Sequence, residues 1–460
     1  MRDVARYDVM VIGSGSGAEI ADSALQQGLS VAYVDRGPLG GTCANVGCIP
    51  TKMIIFPADM IMEMREAQRL GVAGELRSVD FQGIMRRTRH HVEHERLQME
   101  ASLRRPPENL GFFPAEGHFV GSYTLEVAGR RIRADKIFIV AGARPCVPPI
   151  DGIEQVGYLD NASALQLDDL PPSITIIGGG YIACEFAHFF SAMGSDVTIV
   201  QRNRYLVPNE DREVSELLAA KLGERMRVVT GAEAVAARLE GDERVVVARD
   251  VRTGHEQEFR SAAILLAAGR VSNADLLQVT NTGVEVDERG YIKVDEYLRT
   301  NVANIWAFGD VIGKEMFKHV ANREALFAWH NSLHDHLAEF DYRAAPHAVF
   351  TWPQVAAVGL TEEEAKAQYG DILVGKAHYT DVAKGIAMME PDSFAKAIVD
   401  PESGRILGFH IIGRYAPILI QEVVQAMATG AGIDAISAGM HIHPALSEVV
   451  LRALAHLHPA

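Results

Sequence analysis

The chain of 460 residues predicts an α/β fold: two Rossmann-like dinucleotide-binding domains followed by a C-terminal α+β domain. Three observations carry this expectation. A strand, glycine turn, helix and strand occur in order near the N-terminus. The same order recurs after residue 172. From about residue 346 onward no such turn occurs, and apolar strand patterns alternate with helical ones.

In the first unit, residues 7–12 alternate and branch like a buried strand. Gly13-Ser14-Gly15-Ser16-Gly17-Ala18 follows, then a helical stretch to about Gln27 and a strand over residues 30–34. Gly13 and Gly15 permit a tight turn, and small Ala18 belongs to the same motif; together they let a pyrophosphate reach the helix N-terminus. Asp35 ends the second strand, where a carboxylate can bind a ribose diol.

In the second unit, residues 173–177 form the strand. Gly178-Gly179-Gly180-Tyr181-Ile182-Ala183 forms the turn, a helix runs to about Met193, and residues 196–200 form the next strand. Two such units suggest two dinucleotides; the alternative is a duplication with one dead site. Where the first unit has its acid, position 201 is Gln, followed by Arg202, Asn203 and Arg204. A carboxylate would repel the 2′-phosphate of NADP, whereas an arginine pairs with it. Position 201 therefore favours NADPH over NADH, the alternative being that Arg202 and Arg204 are solvated loop charges.

The C-terminal stretch reads as strands over residues 395–399 and 406–412 and helices over 416–429 and 447–457, a sheet with helices packed on one side. The net charge of −16 argues against nucleic acid as a partner. No stretch reaches the roughly 18 apolar residues of a membrane span. The start has no apolar run resembling a signal peptide, so a cytoplasmic location is expected.

Of four cysteines, two lie five positions apart in Gly40-Gly41-Thr42-Cys43-Ala44-Asn45-Val46-Gly47-Cys48-Ile49-Pro50-Thr51-Lys52. A disulfide in a reducing compartment is usually catalytic. Gly41 and Thr42 precede the pair, and backbone rich in glycine can approach a flat ligand. The segment is expected to run from loop into helix, and thiolates near a helix N-terminus are stabilised. Zinc is an alternative, but it needs two more ligands, and Cys146 and Cys184 are isolated. Two ordinary buried thiols would leave the glycines and Pro50 unexplained. A structural staple over so short a loop would add little.

Residues 40–52 closely resemble the redox-active motif of the class I pyridine nucleotide-disulfide oxidoreductases. These flavoproteins include dihydrolipoamide dehydrogenase, glutathione reductase, mycothione reductase and mercuric reductase. The resemblance covers about residues 6–455. It implies that Cys48 lies against a flavin as the charge-transfer thiolate and that Cys43 exchanges with substrate. Thr300-Asn301-Val302-Ala303-Asn304-Ile305-Trp306-Ala307-Phe308-Gly309-Asp310 resembles the second FAD motif, in which Asp310 holds the ribityl chain. Val140-Ala141-Gly142-Ala143-Arg144-Pro145 and Ala267-Ala268-Gly269-Arg270 resemble the connecting motifs. The implied division is 1–145 for the first part of an FAD domain, 146–272 for an NAD(P) domain, 273–345 for the second FAD part, and 346–460 for an interface (dimerisation) domain. The implied cofactors are FAD and NADP (or NAD). Lys52 and Glu185 are implied to pair beside the flavin and tune it. Tyr181 resembles the tyrosine that covers the flavin until nicotinamide arrives; otherwise it is a packing aromatic. Arg202 matches the arginine of NADPH-using relatives.

Reducing a disulfide releases two thiolates that need protons, and a histidine oriented by a carboxylate supplies them near neutral pH. His443 precedes Pro444, and Glu448 lies five residues beyond His443. The family's acid-base pair has this spacing, so His443 is assigned as the acid-base and Glu448 as its orienter. In relatives this histidine reaches the other subunit, which implies a homodimer with shared active sites. His441 and His443 lack a nearby third ligand, and no metal site is expected.

The implied reaction moves electrons between NAD(P)H and a small-molecule disulfide, or a lipoyl group, through FAD and the Cys43–Cys48 pair. Lys318-His319-Val320-Ala321-Asn322 and Glu185-Phe186-Ala187-His188-Phe189-Phe190 look most like mycothione reductase and related low-molecular-weight disulfide reductases. The end, Leu457-His458-Pro459-Ala460, disfavours mercuric reductase and high-molecular-weight thioredoxin reductase, which carry a C-terminal cysteine pair. Dihydrolipoamide dehydrogenase shares every catalytic residue named and is the main alternative, with Gln201 counting against it. A flavin-bearing electron-transfer or scaffold subunit serving a protein partner is the alternative of another class.

Overall fold

The computed structural model describes residues 4–460. The chain folds as two compact units. One contains the described residues up to 50 together with 86–146 and 269–341; the other contains 51–85, 147–268 and 342–460.

The first unit is built on a seven-stranded sheet. Strands Leu110–Phe113, Val31–Val34, Ala5–Ile12 and Arg130–Ile139 run parallel in that order. Beyond them, the first half of Arg130–Ile139 pairs with an antiparallel meander, and its last residues pair with the parallel strand Ile305–Ala307. The glycine turn at residues 13–16 leaves the end of a central strand whose last four residues are fully buried. Buried parallel strands need apolar residues on both faces, which is why Val9, Met10, Val11 and Ile12 form an unbroken run. Helix Gly17–Gln26 follows the turn. Strands Ala143–Pro145 and Arg270–Ser272 pair antiparallel as a short ribbon.

In the second unit, strands Arg227–Thr230, Asp196–Gln201, Ser173–Ile177 and Ala263–Leu266 form a parallel sheet in that order. Helix Tyr181–Met193 follows the second glycine turn and is buried from Ala183 to Met193. A separate antiparallel sheet of six strands starts at Pro346–Val349 and has Phe394–Val399 and Ile406–Ile412 near its centre.

Four local expectations change. Helix Gly41–Asn45 precedes the longer helix Cys48–Glu66, so the cysteine segment is helix, break, helix rather than loop into helix. Val46, at φ −142°, and Gly47 make the break, and a Cβ on Gly47 would lie 2.9 Å from the Thr42 carbonyl oxygen. The strand before Asp35 starts at Val31, because Ser30 is spent on side-chain and backbone bonds with Asp8. The helix expected over 416–429 splits into Ala416–Leu419 and Gln421–Ala428. The six-stranded sheet is covered on both faces. Ala395, Ala397 and Val399 face one apolar cluster, while Ile398 packs with Ala365 of helix Glu362–Tyr369 on the other. Strand alternation sends neighbouring side chains to opposite faces, so a strand buried throughout needs two covers.

Among the described residues, no helix is long and apolar enough to cross a membrane. Among the same residues, no group of three or more His, Cys, Asp or Glu side chains is placed to hold a metal ion.

Candidate active site

Cys43 lies within the short helix Gly41–Asn45, and Cys48 opens helix Cys48–Glu66. Both are thiols in this structure. Cys43 is pulled down to about 7, chiefly by its hydrogen bond with Cys48, against burial, and further by the charge of Lys318 and the N–H groups of Cys48 and Ile49. The sulfur thus meets the N-terminal end of the longer helix, where exposed N–H groups and the helix dipole stabilise an anion. Thr42 is exposed, and Gly41 has φ +64°. A Cβ on Gly41 would come 3.0 Å from the Gly15 Cα, so the cysteine segment packs directly on the first glycine turn. Cys184 is fully buried and pushed up to about 12 by that burial. A buried thiol held neutral is a poor nucleophile.

The two glycine turns repeat one construction. A Cβ on Gly13 would lie 2.2 Å from the Val140 carbonyl oxygen, and one on Gly178 would lie 2.2 Å from that of Ala267. Their φ values, +112° and +116°, belong to the region that favours glycine. The third residue of each turn, Gly15 and Gly180, has open space where a Cβ would stand. Each turn thus presses its first glycine against a neighbouring strand end and opens its third residue beside a helix N-terminus. That cradle fits a pyrophosphate. Ala18 lies in the first turn of helix Gly17–Gln26, and Asp35 accepts from the Ser14 N–H at 2.5 Å and the Gly37 N–H at 2.6 Å. Asp310 lies in the turn Gly309–Ile312, 3.5 Å from the Arg270 guanidinium. Burial raises its carboxyl, against the pull of Arg270.

In the second unit, Lys52 Nζ is 2.6 Å from Glu185 Oε2 and 4.5 Å over the Phe350 ring. The other Glu185 oxygen accepts the Phe350 N–H at 3.0 Å, so the nearly buried carboxylate is held from both sides. Tyr181 is half-buried at the first position of its helix. Gln201 folds inward against Gly179 and donates to the Tyr205 carbonyl at 3.3 Å. Arg202 and Arg204 point out: Arg202 is 70% exposed and 3.9 Å from Glu233, and Arg204 lies over Tyr205. Two exposed guanidinium groups beside an open glycine turn can accept a phosphate.

His443 Nδ1 meets Glu448 Oε1 at 2.9 Å, and the other Glu448 oxygen accepts the Ala445 N–H at 3.0 Å. The His443 imidazole, then that N–H, hold the Glu448 carboxyl below the usual range. The bond at Nδ1 leaves the His443 Nε2 side outward on an imidazole 72% exposed. His441 bonds instead to Glu422 at 2.8 Å.

The structure therefore brings together Cys43 with Cys48, Lys52 with Glu185, and His443 with Glu448. It does not bring Arg202 onto Arg204. Three further contacts were not expected from the sequence. Lys318 Nζ bonds to Asn322 and Ser16 beside the first turn. Asp59 meets buried His188 at 2.8 Å. Lys396, 2% exposed, gathers Asp211, Glu213 and Glu362. A buried polar residue inside an apolar strand, as Lys396 is, was the one available hint.

The pyridine nucleotide-disulphide oxidoreductase model matches residues 7–325, and the dimerisation-domain model of the same name matches residues 345–454. Mycothione reductase of Mycobacterium tuberculosis (strain H37Rv) is 38% identical, over 97% of this chain and 98% of that protein. Dihydrolipoyl dehydrogenase of Chlamydia muridarum is 32% identical, over 96% of this chain and 95% of that protein. The solved Cu(II) complex of the HOCl-induced flavoprotein disulfide reductase RclA from Escherichia coli is similar with a TM-score of 0.86 at 29% identity. It covers 98% of this chain and 99% of that chain.

Proposed function

This chain belongs to the pyridine nucleotide-disulphide oxidoreductase family, and from that premise we propose that it is an NADPH-dependent reductase of a low-molecular-weight disulfide. Its members are flavoproteins that use FAD and NAD(P)H, and the matched dimerisation domain supports a homodimer. The observation that carries the proposal is the Cys43 sulfur. It is partly exposed, set against a helix N-terminus, hydrogen-bonded to Cys48, and poised near 7. A thiol with its pKa near ambient pH is the best attacking group in disulfide exchange.

We assign residues 1–145 and 273–345 to FAD, 146–272 to the nicotinamide nucleotide, and 346–460 to the interface. Gly13, Gly15, Ala18 and Asp35 would hold the adenosine and pyrophosphate end of FAD, and Gly41, Thr42 and Asp310 its flavin end. Gly178, Gly180, Tyr181, Arg202 and Arg204 would hold NADPH. Bound FAD supplies the two-electron relay from reduced nicotinamide to the cysteine pair. Lys52 and Glu185 fix a charge pair beside the cysteine helix.

The thiol steps fall to this chain's own residues. With the pair reduced, Cys43 leaves its proton on His443 and attacks one sulfur of the substrate. A mixed disulfide forms, and the first product thiolate takes the proton from His443. Cys48 then passes its proton to His443 and attacks the Cys43 sulfur. The Cys43–Cys48 bond forms, and the second product leaves as a thiol with that proton. Two electrons and two protons have passed to the substrate. In a homodimer His443 serves the site of the other copy.

Support for a small disulfide, rather than a lipoyl group, comes from Gln201 with exposed Arg202 and Arg204, and from 38% identity to mycothione reductase against 32% to dihydrolipoyl dehydrogenase. The test is steady-state turnover of the FAD-loaded protein with NADPH and NADH against mycothione disulfide, glutathione disulfide, coenzyme A disulfide and lipoamide. NADPH-linked reduction of a low-molecular-weight disulfide is expected, and Cys48→Ala should keep its flavin and lose that turnover. Oxidation of dihydrolipoamide with NAD⁺, with none of the small disulfides consumed, would overturn the proposal.

A further inference from the structure

Lys318 opens helix Lys318–Leu333 and is half-buried. Its place disfavours a cation twice. Burial costs an ammonium its hydration, and the N-terminal end of a helix dipole repels positive charge. Its hydrogen-bond partners are neutral: Asn322 Oδ1 at 2.5 Å and Ser16 Oγ at 3.1 Å. Ser16 Oγ in turn donates to Asn322 Oδ1 at 2.8 Å, closing a three-membered cluster. Among the described residues no carboxylate lies within ion-pair distance of Nζ; Glu19, on helix Gly17–Gln26, acts on it only at longer range. A cation held in such a place needs an anion from elsewhere.

The cluster sits beside the cysteine segment. Ser16 follows Gly15, and Gly15 packs on Gly41 at the start of the helix that carries Cys43. The charged and titratable groups that act on Lys318 are Cys43, then Glu19 and Cys48. We propose that Lys318 is a positioning residue of the redox pair: fixed by Ser16 and Asn322, its ammonium is the counter-ion of the thiolate formed at Cys43 when the pair is reduced. This rests on the assignment of Cys43 and Cys48 as the redox pair. Burial lowers Lys318 while Cys43 raises it, and Lys318 lowers Cys43 in return, the reciprocity expected of an interacting pair.

The test uses the full FAD-loaded chain, reduced with a phosphine so that no turnover is needed. The rate of iodoacetamide alkylation is followed against pH, with Cys43 located by peptide mass spectrometry. The parent should show a midpoint near its value of about 7. Lys318→Gln keeps a hydrogen-bonding head without the charge and should move the midpoint up by about one unit, the lower end of what a nearby opposite charge contributes. Lys318→Arg should restore it. Where Lys318→Gln fails to retain flavin, Lys318→Met gives the same comparison. An unmoved midpoint in a flavin-loaded variant overturns the proposal. So does an unmoved midpoint with weakened flavin retention, which would give the charge to the cofactor pyrophosphate instead. A parent that turns over no disulfide would sink the proposed function and leave this comparison standing; the reverse pattern would sink Lys318 alone.

Discussion

Replacing Lys396 by methionine should loosen helix Arg212–Gly223 by an amount that follows from its neighbours. Lys396 Nζ lies 2.9 and 3.1 Å from the two Asp211 oxygens, 3.1 Å from Glu213 and 2.7 Å from Glu362. Glu213 and Glu362 are 40% and 27% exposed, and each keeps a second lysine, Lys376 or Lys366. They can rehydrate. Asp211 is 2% exposed and cannot. Removing one partner of a buried pair costs about 3–5 kcal/mol. The N–H groups of Glu213 and Glu362 still reach Asp211, at 3.1 and 3.2 Å, so the lower end, about 3 kcal/mol, is expected. Asp211 caps the helix, so the loss should appear there. Hydrogen exchange across residues 212–223 at pH 7 should accelerate by about 100-fold. The pH dependence has a definite sign. In the parent, burial raises Asp211, but the charge of His410, then Lys396 and the Glu362 N–H, outweigh it and hold the carboxyl below 3.8. That carboxylate contributes stability at neutral pH, lost only as pH falls through the lowered folded value. Without Lys396 the burial of Asp211 is opposed by less positive charge, so its folded carboxyl should move up. The penalty is then full at pH 7 and shrinks as pH falls toward 4. Acceleration under about threefold, or a gap between parent and variant that stays constant down to pH 4, would refute this account.

His443→Gln should lower kcat/KM for the disulfide by about 10²–10⁴-fold while leaving NADPH-driven reduction of the bound flavin unchanged in stopped-flow. Glu448→Gln should give a smaller loss in the same half-reaction. Arg202→Ala should raise KM for NADPH by about tenfold or more, the loss of a charge-assisted bond, and leave KM for NADH alone; equal effects on both nucleotides would remove Arg202 from the phosphate. His188 and His410 are buried, and burial lowers both below 6.5, against the pull of Asp59 on His188 and of Asp211 on His410. The unfolded chain takes up protons at each as pH drops through 6.5 and the native chain does not. Stability should therefore fall with acid by up to about 1.4 kcal/mol per site per pH unit, and His410→Gln should flatten that slope in urea unfolding.

What could be read from the sequence was local. Each glycine turn declares itself within six residues, because a positive φ and a close backbone approach admit no other side chain at Gly13 or Gly178. The His443, Pro444 and Glu448 pattern is equally local, since five residues bring the carboxylate back to the imidazole at a helix start. Lys52 and Glu185 are 133 positions apart, and only the family resemblance put them together. Nothing in the sequence pairs Asp59 with His188, 129 positions apart, or Lys396 with Asp211, 185 apart. Such contacts depend on which helix faces meet, and apolar periodicity does not state that. The break between the two cysteine helices was missed because Ala44, Asn45 and Val46 carry no strong stop signal of their own; the steric demand comes from the approach of Gly47 to Thr42.

The cysteine helix and the helix of the second glycine turn are joined along their length. Lys52 meets Glu185 at 2.6 Å, Asp59 meets His188 at 2.8 Å, and Arg65 donates to the Ala192 carbonyl at 3.0 Å. The middle rung is the stiffest. His188 is fully buried, and a buried hydrogen bond left half-made costs more than one never formed. Glu185 is held a second time by the Phe350 N–H. A displacement of helix Tyr181–Met193 must therefore either break a buried rung or carry helix Cys48–Glu66 with it.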